Sequence, residues 1–588
     1  MNHPRRRHFL SLVGIAALFC TTALFANTLT NDQRTLDITL APVLNADNTA
    51  TGISVHYVLS PSKEPASRPA LALDTLAPSL LRTSDQVTQL RVTDDKGAVE
   101  LAPPVAKQTN DGNFQVWTAA RPTSGSLHIA YVVPVAAAKP SKRGPHIDLQ
   151  AAGGGLSGAF VGFLLLPDNR SEAFRVHLHW QLPSGQMAVS SNGIGDFSGV
   201  FNAGKLDDML FLAGPVKTYA PSGHSDGFHV YALGLPEEQL KTAANWTARA
   251  YEAERKAFRI PPSQPYRFLI RSYDGGPIDS GRSSDSSFML YLPTGFDAGR
   301  VELHNLVAHE MVHSLMKDLD DAPGDEGDWY TEGTADYFSE ILPWAAGLYT
   351  PRQYLDLVNE EAAEYYTNAL RDVSNQQLAK VMWSGRNAWM LPYARGALYF
   401  ADLDAKLRLH HSTLTVLDLV NATSERIEHG APATDATWTA VLKDQVGAWA
   451  LADWQHMMDG QLIMPAAGAF GTCLAGSATQ VGIFDLGFAK PIRVMANEAV
   501  SGVVKGSNAD KAGLRDGDVI AETIDINPIA GSFVSLIHIP IRRGTSPLMV
   551  SYNPRSGSVP GMNWRLSGAG AEQRCPHQGT AIAASRDR

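Results

Sequence analysis

Two histidines and a glutamate in the stretch LVAHEMVHSL, residues 306–315, have the types and spacing of a zinc site. On a helix, side chains four positions apart lie on one face, so His309 and His313 can present two imidazoles to one ion. Glu310 follows the first histidine and can act as a general base on water. A motif this short also arises by chance, and two core histidines on one helix face are the alternative interpretation.

A candidate third ligand lies in the next predicted helix. Catalytic zinc commonly takes three protein ligands, and Glu332 lies in WYTEGTADYFSEIL, a segment with apolar residues suited to pack on the first helix. A histidine helix, an acidic loop and a helix carrying glutamate form the gluzincin arrangement, which favours a zinc hydrolase over core histidines. Asp336, one turn after Glu332, can orient a ligating imidazole, although helix capping or solvent exposure explains it equally well.

The chain that must position these residues has an ordinary globular composition. Its 588 residues are 44% hydrophobic and 18% charged, which allows about three or four domains. The net charge is −10 and there is no long basic run, so nucleic acid is not an expected partner.

The first 26 residues, MNHPRRRHFLSLVGIAALFCTTALFA, predict a signal peptide, because a basic start leads into a short apolar run that ends in a small residue. The run RRHFL within it is similar to the twin-arginine export pattern, and an ordinary arginine-rich secretory start explains it equally well. No later stretch has the roughly 18 apolar residues of a membrane helix. We therefore expect a periplasmic or secreted protein with no membrane span in the mature chain.

Hydrophobic periodicity divides the rest of the chain into three parts. Residues 27–215 alternate apolar and polar side chains between turn clusters, which predicts an all-β sandwich. The spacing then becomes helical, so 216–470 is expected to be a mainly α-helical domain that carries the histidine motif. Short strands between glycine turns indicate a β+α domain over 471–575, and 576–588 is expected to be a loose tail.

Nearly the whole mature chain resembles the glycyl-aminopeptidase family of gluzincin metallopeptidases. The resemblance is carried by HEMVH at 309–313, TEGTADYF at 331–338, YARGALYFADLDAKLR at 393–408, DGQLIMP at 459–465 and SNADKAGLRDGDVI at 507–520. It implies a β domain, a thermolysin-like zinc peptidase domain and a PDZ domain, in that order.

The same resemblance implies a set of functional residues. His309, His313 and Glu332 would bind one Zn²⁺ per chain, and Glu310 would be the base acting on a peptide or protein substrate. Tyr393 would donate a hydrogen bond to the oxyanion of the tetrahedral intermediate, a role that suits a neutral hydroxyl.

The third domain also contains a pattern similar to that of PDZ domains. Residues 507–520 predict a short helix and a turn that leads into a strand. By that resemblance, Leu486, Gly487 and Phe488 form the loop whose backbone N–H groups hold the carboxylate of a C-terminal peptide ligand. The alternative is that the domain only packs against the catalytic domain.

Cys473 and Cys575 bracket this domain. Because PDZ domains bring their ends together and an exported protein meets an oxidising compartment, we expect the two cysteines to form a disulfide.

One departure from the family leaves the point of cleavage open. Family members carry glutamate in a Gly-Gly-x-Glu element before the zinc helix, where it is thought to meet the amino end of the substrate, and Ile278 occupies that position here. Asp274 or Asp279 can substitute if the strand is shifted or bulged. Otherwise we expect an endopeptidase or an unselective aminopeptidase.

A second departure is the loop DLDDAPGDEGD after the second histidine, which carries six acids. These acids either favour cationic peptides at the cleft entrance or form a solvated loop.

Together these patterns predict an exported zinc-dependent metallopeptidase. One alternative is a catalytically weak or inactive peptide-binding scaffold that uses the PDZ domain, but such a scaffold has no need of Glu310. Another is a zinc hydrolase that acts on something other than peptides.

Overall fold

The computed structural model describes residues 33–61, 68–75, 87–109, 112–135, 147–221, 227–272, 280–284, 286–319, 322, 326–489 and 494–568. It has three regions, which follow one another along the chain. In the described part, no helix combines the length and the hydrophobicity needed to cross a bilayer.

The N-terminal region is built from β strands. The strands are β1 (Thr35–Leu44), β2 (Ala50–Leu59), β3 (Ala70–Asp74), β4 (Thr88–Asp94), β5 (Gly97–Ala98), β6 (Val105–Thr109), β7 (Gly112–Thr118), β8 (Leu127–Pro134), β9 (Gln150–Ala152), β10 (Gly155–Ala159), β11 (Leu166–Pro167), β12 (Phe174–Trp180), β13 (Met187–Ser190), β14 (Gly193–Ile194), β15 (Phe197–Phe201) and β16 (Leu210–Gly214), with a short helix, α1 (Ala203–Asp207), before the last. They form a seven-stranded sheet (β15-β12-β1-β2-β8-β4-β5), a five-stranded sheet (β14-β13-β16-β10-β9) and a four-stranded sheet (β11-β3-β7-β6).

The alternation of apolar side chains sets the pairing in the largest sheet. Strands β1 and β12 run parallel, with Leu36 beside Val176 and Ile38 beside Leu178. All four side chains are buried in one apolar core, because residues two apart on a strand point to the same face. The predicted β-rich N-terminal region is therefore confirmed.

The middle region combines a sheet with a helical bundle. Its strands are β17 (Lys217–Tyr219), β18 (Phe228–Leu233), β19 (Tyr266–Ser272), β20 (Ser280–Ser284) and β21 (Ser287–Leu292), in the sheet order β17-β18-β19-β21-β20. Its helices are α2 (Glu237–Ala257), α3 (Val301–Leu315), α4 (Asp328–Ala345), α5 (Pro351–Tyr366), α6 (Asn375–Ala379), α7 (Arg386–Leu409), α8 (Val416–Glu428), α9 (Asp435–Gln445) and α10 (Ala448–Met458). The predicted helical character is confirmed.

The sequence reading anticipated a strand before the zinc helix but not the five-stranded sheet. Strands β18, β19 and β21 are parallel neighbours, and nearly all their side chains are buried. A parallel sheet covered on both faces has continuous apolar strands rather than alternating ones. The period-two signal that identified the N-terminal strands is therefore missing.

This sheet packs on the N-terminal region through a shared apolar cluster. The cluster contains Leu212 from β16, Leu269 from β19 and Tyr291 from β21. Arg271 is fully buried beside it, where Nη1 donates to Ser157 Oγ at 2.8 Å and the guanidinium lies over the ring of Tyr291. The N-terminal region therefore supports this five-stranded sheet.

The third region contains β22 (Leu474–Phe484), α11 (Asn508–Lys511), β23 (Val519–Ile520), α12 (Asn527–Ala530), β24 (Ile537–Arg543), β25 (Ser546–Tyr552) and β26 (Arg555–Leu566). Strands β22 and β26 form a long two-stranded ribbon, while β23, β24 and β25 form a small sheet around a separate core. Apolar side chains of the ribbon join the core of the helical bundle, including Leu474 and Trp564. The Asn359 amide on α5 bonds both backbone groups of Trp564, so the ribbon is packed onto the helical region.

Cys473 precedes this ribbon, is buried and is disulfide-bonded. Cys575 lies outside the described residues, so its pairing with Cys473 stays a prediction.

Candidate active site

Helix α3 places the two histidines against α4. Val307, Met311 and Val312 are fully buried in the helical core, which fixes the rotation of α3 about its axis. His309 and His313 then lie on the adjacent face, with their side chains 11% and 12% exposed. The helical pattern of the motif is therefore what aims both imidazoles at α4.

The three predicted ligands converge. Glu332 Oε2 lies 3.2 Å from His309 Nε2 and 3.3 Å from His313 Nε2, and the two nitrogens are 3.1 Å apart. A tetrahedral zinc ion about 2.0–2.1 Å from each ligand needs ligand separations of about 3.3 Å. Glu332 Oε2 is buried without an aligned hydrogen bond, so its chemistry and position fit a metal ligand.

No other group of histidine, cysteine and acidic side chains in the described sequence is as compact as this one. Among the residues that the structure describes, only these three bring one ligand atom each within 4.8 Å of one another. Two imidazoles and one carboxylate are donors that zinc accepts. The donor set and its spacing therefore fit zinc.

Asp336 orients the first imidazole, as one of the two interpretations of the sequence predicted. Its Oδ1 lies 2.6 Å from His309 Nδ1, which leaves His309 Nε2 for the ligand centre. Burial opposes a positive charge on His309, but Asp336 and Glu332 outweigh it and raise the pKa of His309 to about 9. Asp318 is less close to the second imidazole, with Oδ1 3.7 Å from His313 Nδ1. The site therefore favours a positive charge at its centre.

Glu310 lies on α3, and its side chain contacts the edge strand β20. The backbone N–H of Ser283 donates to Glu310 Oε2 at 3.1 Å. At Gly281, a Cβ atom would lie 2.1 Å from the ring of Phe288 and 3.5 Å from Glu310 Cγ. Only glycine therefore allows this strand to lie so close to the glutamate.

Tyr393 enters from α7. Its ring is stacked at 11° to that of His309, with ring centroids 5.9 Å apart. Helix α7 reaches this position because Gly333 and Gly396 allow close contact with α4, and a Cβ on Gly396 would lie 2.0 Å from the Trp329 carbonyl oxygen. Burial and the nearby carboxylates, Glu332 first among them, raise the pKa of Tyr393 well above its usual range. The phenol is therefore a neutral hydrogen-bond donor.

Sequence reasoning missed one aromatic and two acidic residues near the site. Trp389 lies one turn before Tyr393 on α7, and their rings are in edge contact at 6.3 Å; the four-residue spacing was a usable signal. Glu340 on α4 repeats the four-residue interval of Glu332 and Asp336. Glu361 lies on a different helix, α5, so no regular spacing in the sequence predicts that it lies near the acids of α4.

Several predicted residues lie outside the described residues. They are Asp274, Gly275, Gly276, Ile278 and Asp279 before the zinc helix, and Asp320, Asp321 and Asp325 in the acidic loop. Of the remaining loop acids, Asp318 lies beside His313, and Asp328 begins α4.

The loop of Leu486, Gly487 and Phe488 is distant in sequence from this site and belongs to the core of the third region. Leu486 and Phe488 are buried there. Gly487 has a φ of 72°, and its N–H donates to Asp485 Oδ1 at 2.9 Å. The neighbouring carboxylate thus already occupies one of the amides expected to hold a peptide carboxylate, and binding of such a ligand stays a prediction.

The sequence matches no known family model and no curated protein. The fold is nevertheless similar to that of solved structures. An aminopeptidase N family protein from Idiomarina loihiensis aligns with a TM-score of 0.67 and 15% identity over 92% of this chain and 99% of that chain. An M1 zinc metallopeptidase from Deinococcus radiodurans has a TM-score of 0.45 and 17% identity, covering 74% of this chain and 95% of the other. The chain therefore has the multidomain fold of the first of these proteins.

Proposed function

We propose that this protein is a zinc-dependent metallopeptidase. The observation that carries the proposal is the triangle formed by His309 Nε2, His313 Nε2 and Glu332 Oε2, whose edges of 3.1 to 3.3 Å fit one tetrahedral zinc ion per chain. Bound there, zinc would supply positive charge that polarises a carbonyl group and makes nearby water more acidic. The fold shared with an aminopeptidase N family protein supports the same class of function.

Glu310 is the general base of this proposal. Its carboxylate follows the first histidine directly and is held by the N–H of Ser283. In the reaction, Glu310 takes the proton from the attacking water as oxygen bonds to the scissile carbonyl carbon. It then passes that proton to the departing amine nitrogen as the C–N bond breaks, which returns Glu310 to its ionised form.

Tyr393 stabilises the negative charge that develops on the carbonyl oxygen. A donor works best when it is already in place and away from bulk water. Tyr393 meets this condition because it is partly buried, is stacked on His309 and stays protonated there.

The edge strand β20 gives a reason for a peptide substrate. It is the last strand of its sheet, so its outer edge can pair with an extended peptide through backbone hydrogen bonds. A peptide paired there passes the Glu310 carboxylate, which Ser283 of the same strand contacts. We infer a peptide or protein substrate on this basis.

The finer assignments in this proposal come from the sequence. They are membership of the glycyl-aminopeptidase family, a PDZ character for the third region and export through a signal peptide. For the third region, a cavity of about 170 Å³ is lined both by Leu486 of its loop and by Arg386 at the start of α7, which supports packing against the helical region as the alternative to ligand binding.

The test is hydrolysis of a peptide library by the zinc-loaded mature protein, with products identified by mass spectrometry. The Glu310→Gln variant is measured beside it, because it keeps the shape of the side chain and loses the base. Cleavage by the parent that the variant lacks supports the peptidase. A parent that binds zinc and peptides without cleaving them would be the inactive scaffold, and cleavage of esters or other substrates alone would indicate a different zinc hydrolase.

A further inference from the structure

The second imidazole of the zinc site lacks the close partner that the first one has. Asp336 Oδ1 lies 2.6 Å from His309 Nδ1, whereas His313 Nδ1 is buried and has no hydrogen-bond partner. A histidine that binds a metal through one ring nitrogen almost always donates the other N–H to a carboxylate, a carbonyl or a water. The group that faces His313 Nδ1 therefore decides how this ring is held.

Asp318 faces that nitrogen. Its Oδ1 lies 3.7 Å from His313 Nδ1, and the two side chains are 21% and 12% exposed. This oxygen is also buried without a hydrogen-bond partner. With His313 Nε2 in the ligand triangle, the hydrogen of the neutral ring is on Nδ1. A donor and an acceptor, both unsatisfied and both shielded from water, therefore lie side by side.

The end of α3 directs the chain back toward this ring. The helix ends at Leu315, and Met316 has an extended backbone with φ of −120° and ψ of 178°. The side chain of Met316 is buried in the helical core. The chain therefore leaves the helix axis at Met316 without leaving the surface of the bundle, and Asp318 follows two residues later.

The residues on both sides of Asp318 are attached to neighbouring helices. The backbone N–H of Lys317 donates to Ser424 Oγ on α8 at 3.1 Å. The N–H of Leu319 donates to Thr331 Oγ1 on α4 at 3.4 Å, and the Leu319 side chain is 2% exposed in the helical core. The position of Asp318 is therefore set by packing, unlike that of an acid in a solvated loop.

No other positive group is paired with Asp318 in the part of the chain that the structure describes. Its one ion-pair contact there is with His313. The adjacent Lys317 extends to α8 instead, where its Nζ lies 3.9 Å from Glu428 Oε1. A shielded carboxylate is costly unless it meets a positive or hydrogen-donating group. The imidazole of His313 is the group that can meet this need.

The distance that separates the two atoms fits a direct contact. A charge-assisted hydrogen bond to a carboxylate is about 2.8 Å long, so the atoms must approach by about 1 Å. The terminal torsion of an aspartate side chain is broad, so the oxygen can move by that amount while the backbone stays in place. A bridging water would instead hold the two atoms about 4.5 Å apart.

We propose that Asp318 is the positioning residue of the second zinc ligand. Its carboxylate accepts a hydrogen bond from His313 Nδ1 and holds the imidazole in the tautomer and orientation that present Nε2 to the metal. This gives one acid of the loop a role that neither binding of cationic peptides nor solvation includes. The inference rests on the zinc site of the proposed function.

The test measures zinc affinity by competition with a chelator in the parent, Asp318→Ala and Asp318→Asn. Asp318→Ala should weaken zinc binding about tenfold, because the ring loses its acceptor. Asp318→Asn keeps an acceptor oxygen in the same place and should recover most of that loss. Glu326→Ala removes a partly exposed acid from the same loop, so it controls for the loss of charge and should change the affinity less than threefold.

Thermal unfolding of the metal-free proteins is the second readout. A merely structural role would lower the unfolding temperature of metal-free Asp318→Ala and leave the zinc affinity of the folded fraction unchanged. A positioning role instead appears in the affinity, with rescue by Asp318→Asn. If Asp318→Ala does not fold, Asp318→Ser, which is small and polar, takes its place in the same comparison.

The outcomes separate this inference from the function on which it rests. A parent that binds no zinc contradicts the zinc site and the proposed peptidase together. A parent that binds zinc while Asp318→Ala binds it equally well overturns only the role of Asp318. An equal loss in Glu326→Ala would show that the charge of the loop matters and not the contact with His313, which also overturns the proposal.

Discussion

Glu332 and Glu340 lie on the same side of α4, two turns apart, and their surroundings differ. Glu332 meets two imidazoles at 3.2 and 3.3 Å, whereas Glu340 meets no positive group in the described part of the chain. The side chain of Glu332 is 21% exposed and Glu340 is 4% exposed, so both are largely shielded from water and differ mainly in pairing. A carboxylate among ligand atoms suits a resident metal ion, whereas burial raises the pKa of Glu340, as it does that of the unpartnered Glu254, and favours the neutral acid.

Removing the base at the zinc end should have the largest effect. Glu310→Gln keeps the ligands and loses the group that takes the proton, so kcat should fall about a hundredfold or more while zinc is retained. Steady-state kinetics and metal analysis on the same preparation check this. Turnover by Glu310→Gln at the rate of the parent would contradict the role of Glu310 as general base, and with it the assignment of catalysis to the zinc site.

The oxyanion donor should come next. Tyr393→Phe removes one hydroxyl and leaves the stacked ring, so kcat should fall on the order of 10²-fold with little change in stability. Tyr399→Phe, which removes another buried hydroxyl from α7, is the control and should keep most activity. Equal losses in the two variants would mean that α7 was perturbed rather than that a donor was lost.

Asp336 lies between Glu332 and Glu340 on α4. Its substitution should have a smaller effect, which is on zinc affinity. Asp336→Ala removes the acceptor that lies 2.6 Å from His309 Nδ1, so zinc affinity should weaken about 10- to 100-fold. Asp336→Asn keeps an acceptor oxygen and should lose less. Competition with a chelator measures both, and unchanged affinity in the alanine variant would show that the imidazole is oriented by packing alone.

A fully buried glutamate outside the site, Glu254 on α2, should give the smallest effect. Because burial raises its pKa in the folded protein, its stabilising contribution is full below the pKa of the unfolded chain, about 4.5, and is lost as pH rises toward the folded-state pKa. This costs no more than about 1.4 kcal/mol per pH unit. Thermal unfolding from roughly pH 5 to 8 should therefore favour Glu254→Gln increasingly as pH rises. Parallel curves for variant and parent would contradict the assignment.

The sequence was most informative where function depends on spacing along one helix. His309 and His313 are four residues apart on α3, Glu332 and Asp336 are four apart on α4, and the structure brings the two pairs together. The parallel strands β18, β19 and β21 were missed because burial on both faces removes the alternating pattern. Glu361 was missed because it meets α4 from another helix, and such a contact is decided only by packing.

The third region shows another limit. Its loop at Leu486, Gly487 and Phe488 could be located from the pattern of residues, but a motif does not say where a nearby side chain points. Asp485 bonds the Gly487 N–H, and that single contact bears on whether the loop can receive a carboxylate.

The most direct test of the central claim is the zinc content of the purified protein after exhaustive dialysis. We predict about one zinc per chain in the parent and in Glu310→Gln, and almost none in a His309→Ala/His313→Ala double variant whose fold is verified by circular dichroism. A parent that holds no zinc after being supplied with it, or a double variant that retains the full amount, would contradict the account.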